Sequence, residues 1–65
     1  MVEVRLEKKK NLYWAISDFK VPYGFDGIKN PVCMGRSYDE ALVRIKERLY
    51  TLGVTHFLVI GQNVA

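Results

Sequence analysis

"SYDEALVRIKERLYTLG", Ser37 to Gly53, reads as one complete amphipathic helix with both ends marked. Ser37 stands where an N-cap belongs, and Glu40, three residues on, completes a capping box. Tyr38, Ala41, Leu42, Ile45, Leu49 and Leu52 recur at helical spacing and make a single apolar stripe. Gly53 supplies the left-handed C′ position, after which Val54 can pack back on Leu49 in a Schellman arrangement. Asp39 and Glu40 in the first turn and Arg48 near the last complement the helix dipole. The expected helix covers residues 38–52, and one stripe on one helix means that it can cover one face of whatever it packs on.

The flanking sequence supplies strands. "VEVRLEK" alternates, with Val2, Val4 and Leu6 on one side and Glu3, Arg5 and Glu7 on the other, the pattern of a half-buried strand. Lys9, Lys10 and Asn11 make a turn, and "LYWAISDF" follows as a second strand. That strand is apolar on both faces: Leu12, Trp14 and Ile16 on one, Tyr13, Ala15 and Phe19 on the other. "FKVPYGFDGIKNP" is a long connection holding both prolines and an Asp-Gly pair. "PVCMG" gives a short third strand ending at Gly35. After the helix, "THFLVIG" is a fourth strand, with Phe57 and Val59 on one face and Leu58 and Ile60 on the other.

The expected class is α+β, in the order β-β-β-α-β. Three strands in hairpin succession, a returning helix and a right-handed crossover place the last strand parallel to the first, giving a mostly antiparallel sheet of order 3-2-1-4. The second and fourth strands are apolar on both faces and the helix covers only one, so a homodimer is expected to cover the other.

Composition narrows the function. Sixty-five residues allow one domain, here 1–65, with a small core that needs support. One cysteine excludes an internal disulfide and points to a reducing, cytoplasmic setting. A structural zinc site needs four ligands, and one Cys and one His do not supply them. A second subunit is the remaining support. The chain is charged by residue 3 and shows no signal peptide, and "FLVI" is too short to span a bilayer. The net charge of +3 owes much to Lys8, Lys9 and Lys10, a run read as a solvated hairpin end before it is read as a polyanion contact.

The segment "VCMGRSYDEALVRIKERL" resembles the HicB-like antitoxin domain. In that family a third strand ends in a glycine and a short cap, and a helix of the form Ser/Thr-x-x-Glu-Ala-hydrophobic follows. Gly35, Ser37, Glu40, Ala41 and Leu42 carry the likeness. "LYWAISDF" and "VPYGFDGIKNP" occupy the places of the family's second strand and its β2–β3 loop, so the resemblance extends over about residues 2 to 60. It implies a small, non-enzymatic, oligomer-forming domain whose partner is a small RNA-cleaving toxin that it binds and masks. The expected form is stand-alone, without the family's C-terminal DNA-binding segment, as in a phage- or plasmid-encoded inhibitor.

No catalytic set is legible, and no cofactor is expected. Cys33 and His56 are the only thiol and imidazole, both expected in strands, and nothing marks them as nucleophile and base rather than a buried thiol and a strand residue. A Mg²⁺ site of RNase H type would need an Asp on the first strand, which offers Glu3 and Glu7 instead; Asp18 and Glu40 are not placed to converge, and Glu40 serves the cap. Arg44 and Arg48 stack at i, i+4 with Arg36 before the cap and Lys46 on another side. They form either a cationic ridge for nucleic acid or a face neutralised by Glu40 and Glu47.

Two functions follow. The first is an interaction protein that binds and inhibits another protein, with Lys20, Tyr23, Phe25 and Lys29 as a mixed aromatic-basic loop tip for the partner. The second is a nucleic-acid-binding module using Lys8, Lys9, Lys10, Arg36, Arg44 and Arg48 together with the loop aromatics. Turn chemistry explains Pro22, Gly24, Asp26 and Gly27, but not Tyr23 and Phe25, which either staple the loop down or stand out as anchors. The expected outcome is mixed. Phe25→Ser lowers stability in a urea melt, whereas Tyr23→Ser melts like wild type and weakens partner binding. A larger stability loss for Tyr23→Ser than for Phe25→Ser would reverse the two roles.

Overall fold

The computed structural model describes residues 1–22 and 27–61. Strand β1 spans Val2–Lys9, β2 Leu12–Ser17, and two short strands follow, β3 at Val21–Pro22 and β4 at Ile28–Lys29. Strand β5 spans Val32–Gly35, helix α1 Tyr38–Thr51 and β6 Phe57–Ile60. The main sheet has the order β5-β2-β1-β6, with β6 parallel to β1 and the other pairs antiparallel. This is the expected 3-2-1-4 order, in which β5 and β6 are the third and fourth expected strands. The β3–β4 pair is an addition that breaker-rich sequence concealed: two strands of two residues leave no periodicity to read.

The β1–β2 hairpin closes through Lys10 and Asn11, both in the left-handed region at φ 50° and 66°. Two such residues define a type I′ turn, whose twist suits a two-residue hairpin. Lys9, expected in the turn, is instead the last residue of β1 and faces Leu12. Strand β2 stops at Ser17 rather than running on to Phe19. The Ser17 hydroxyl accepts the Phe19 N–H at 2.9 Å and turns the chain out of the ladder. The Ser17 N–H donates to the Pro31 carbonyl, and the Asn30 side chain donates to the Ser17 carbonyl. One fully buried serine thus ties the start of the connection to its end.

Both helix ends are built as the sequence indicates. Ser37 is extended, at φ −152° and ψ 165°, and its Oγ accepts the Glu40 N–H at 3.0 Å. The Glu40 carboxylate reaches back one residue further than a standard capping box, to the Arg36 N–H at 3.0 Å. At the other end Leu52 is the cap rather than the last helical residue, one position short of expectation. The Val54 N–H donates to the Leu49 carbonyl and the Gly53 N–H to that of Tyr50, the two bonds of a Schellman motif, with Gly53 at φ 89°.

The core lies between α1 and one face of the sheet. Ala41, Ile45 and Leu49 from the helix meet Val4 and Leu6 of β1 and Ala15 of β2, all essentially fully buried. Tyr13 and Tyr38 close one end edge to face, their ring centroids 4.6 Å apart. Gly35 sets how closely the helix can approach. A Cβ placed on it would lie 2.9 Å from the Ala41 backbone nitrogen and 2.9 Å from Glu40 Cβ, inside contact distance. Gly35→Ala is therefore expected to cost about 1–3 kcal/mol, in the range for overpacking. Ser37→Ala is expected to cost about 1 kcal/mol through the lost cap. Urea melts check both, and an unchanged midpoint for Gly35→Ala would show that the helix is free to retreat from the sheet.

Candidate functional site

The sheet face turned away from α1 carries five of the nine large apolar residues that stand exposed among the described residues. Strand pairing fixes its composition, because residues directly opposite share a face. One cross-strand row runs Val32, Ile16, Arg5, Ile60, the next Met34, Trp14, Glu7; Leu58 lies opposite Glu3 and Leu12 opposite Lys9. Leu12, Val32, Met34, Leu58 and Ile60 are exposed, while Trp14 and Ile16 are half-buried. Large apolar side chains standing in solvent on one contiguous face make it the candidate interaction surface.

A charged stripe crosses this apolar field along β1. Glu3, Arg5, Glu7 and Lys9 alternate in sign and all point to the open face. Glu7 is the hub, with Arg5 Nε at 3.0 Å and Lys9 Nζ at 3.2 Å from its two carboxylate oxygens. Trp14, directly across from Glu7, has its indole N–H buried with no hydrogen-bond partner among the described residues. Such an orphaned donor is uncommon in a completed structure.

The structure disperses the basic residues singled out in the sequence. Lys8 lies on the helix side, its Nζ 5.4 Å from the centre of the Tyr13 ring, while Lys9 is on the open face in the Glu7 hub and Lys10 is in the turn. Alternation along a strand thus splits the lysine run between two faces. Arg36 is exposed before the cap. Arg44 pairs with Glu40 at 3.6 Å and donates to the Met34 carbonyl at 2.8 Å, so it serves the β5 edge. Arg48 and Lys29 border a cleft of about 390 Å³ beside Pro31, Val32, Cys33 and Leu52. Lys20 borders another of about 300 Å³ with Arg5 and Asp18. Tyr23 and Phe25 lie outside the described residues.

The side chains considered for chemistry have local partners or sit apart. Asp18 accepts the Glu3 N–H at 2.8 Å while its own N–H bonds the Glu3 carbonyl, ending the β1–β2 ladder. Glu40 is engaged by Arg36 and Arg44. Among the described residues no three His, Cys, Asp or Glu side chains gather as a metal site would require. Cys33 is on β5 and His56 just ahead of β6, outside the strand expected to hold it, so the pair flanks opposite edges of the sheet. Three strand spacings, about 14 Å, separate those edges. Among the described residues no helix is long and apolar enough to cross a membrane.

The residues that matter here differ in how far the sequence signals them. The alternating signs of Glu3, Arg5, Glu7 and Lys9 are visible in the sequence, where they read simply as the polar side of a strand. Ser17 shows nothing, because its role depends on Pro31 and Asn30. No family model, no curated protein and no solved structure matches the chain.

Burial pushes the Cys33 thiol above its ordinary value, against the opposing pull of the Arg48 and Arg44 cations. The fold therefore favours the thiol over the thiolate. That contribution to stability is complete below the unfolded-state value and is lost as pH rises through the folded one. Cys33 is expected to react with iodoacetamide more slowly in the folded chain than in urea at the same mildly alkaline pH. Equal rates would contradict this placement of the thiol.

Proposed function

We propose that this chain is a non-enzymatic interaction protein, a homodimer that binds and inhibits another protein, in the manner of a HicB-like antitoxin or a phage- or plasmid-encoded inhibitor. The observation that carries the reading is the open sheet face, where Leu12, Trp14, Ile16, Val32, Met34, Leu58 and Ile60 stand without a covering layer among the described residues. A sheet with large apolar residues on both faces needs covering on both. The helix covers β5, β2 and β1 on one face, leaving Val59 of β6 exposed there, and a second subunit accounts for the other face.

Element order and the residues from Val32 to Leu49 support the HicB-like assignment, and the single thiol supports a cytoplasmic setting. A small toxin fits as the inhibited partner, with Lys20, Lys29 and the loop aromatics as its contact. The nucleic-acid reading has less behind it, since Lys8, Lys9 and Lys10 diverge and Arg44 is held by Glu40 and the Met34 carbonyl.

Sedimentation equilibrium tests the dimer. The chain is expected to be dimeric in the micromolar range, and a species of 7.5 kDa persisting at high concentration would contradict it. The concentration that decides is about 100 μM, above which a specific interface of even small size is populated.

A further inference from the structure

The charge pattern on the open face specifies how a second copy sits on it. Along β1 the stripe reads Glu3, Arg5, Glu7, Lys9, that is minus, plus, minus, plus. Read in reverse, the signs are inverted at every position. We propose that two copies pack open face to open face about a two-fold axis perpendicular to β1, so that their β1 strands run antiparallel. Glu3 of each then meets Lys9 of the other, and Arg5 meets Glu7. The inference rests on the reading of the open face as a homodimer interface and adds its geometry.

The apolar columns agree with the same axis. A two-fold lying in the plane of the interface and perpendicular to β1 keeps each strand on its own side. The β2–β5 column of one copy therefore lands on the β2–β5 column of the other, and β6 lands on the side of β6. Centred between Arg5 and Glu7, the axis falls at Ala15 of β2 and Cys33 of β5. Trp14 then faces Ile16 of the other copy and Met34 faces Val32, each long side chain against a β-branched one, as interdigitation of two sheets requires. The alternative axis, parallel to β1, sets every charge against its like and β6 against β2. Like charges juxtaposed across an interface are a strong barrier to a wrong pose.

The size of the face is consistent with a modest dimer. Four strands about 4.8 Å apart and about five residues deep at 3.3 Å each cover roughly 300 Å² in plan. Two such faces together cover about 600 Å² in plan, below the standard size of specific interfaces, so the association expected is a weak one.

Charge reversal tests the geometry. Glu3 and Lys9 are six residues apart on one strand, about 20 Å, too far to compensate one another within a chain. Glu3→Lys and Lys9→Glu, each made alone, are expected to weaken the dimer by about tenfold or more, because a two-fold axis applies each change twice. The double variant Glu3→Lys/Lys9→Glu restores opposite signs across the antiparallel interface and is expected to return to within about threefold of wild type. Circular dichroism confirms that all three variants fold. If the double variant is weaker than either single one, or if neither single reversal changes the association, the antiparallel geometry falls while the dimer stands. A wild-type chain that stays monomeric removes the homodimer reading itself.

Discussion

The close approach of α1 to β5 governs the rest of the molecule. Gly35 lets the Ala41 backbone and the Glu40 side chain come to within what would be 2.9 Å of a Cβ, and Ser37 fixes the first turn immediately after it. With the helix start pinned there, Ala41, Ile45 and Leu49 descend over Ala15, Leu6 and Val4, and Leu49 and Val54 close the far end. The Schellman bonds then return the chain to β6, which must lie parallel to β1. The whole apolar stripe of the helix is used on one face.

That single use has a consequence on the reverse side. A β-strand sends alternate residues to opposite faces, so strands rich in apolar residues at every position, such as β2 and β6, cannot hide both sets under one helix. β1 answers differently, with apolar residues toward the helix and an alternating charge stripe away from it. The outward face is therefore an apolar field divided by charges that partly neutralise one another through Glu7. On such a surface a slipped or inverted pairing of two copies would set like charges together, which opposes it. The buried Trp14 indole N–H, without a partner among the described residues, lies on this face as well, opposite the hub carboxylate.

The fold was legible because its decisive signals are local. The capping box, the Schellman glycine and the period-two alternation of β1 are each contained in a few consecutive residues, and together they give element order, sheet order and the uncovered face. The boundaries that shifted did so through partners distant in sequence. Ser17 ends β2 because Pro31, Asn30 and Phe19 bond around it. Lys9 stays in β1 because Lys10 and Asn11 alone make the turn. The candidate surface was legible only in part. Sequence showed that one face lacked a cover, but the side-by-side placement of the β1 charges with Trp14, Met34 and Ile60 depends on register, which alternation alone does not fix. The basic residues illustrate the converse. They are adjacent in sequence at Lys8 to Lys10 and divided in space by the pleat.

A direct test of the antiparallel open-face dimer is an isotope-filtered NOE experiment on an equimolar mixture of labelled and unlabelled chain, at a concentration where the dimer is populated. Cross-peaks between copies should connect the Trp14 ring with the Ile16 methyls and the Met34 methyl with those of Val32. Intermolecular peaks arising instead from the outer helix surface at Val43 and Tyr50, or a dimer with none from the open face, would contradict it.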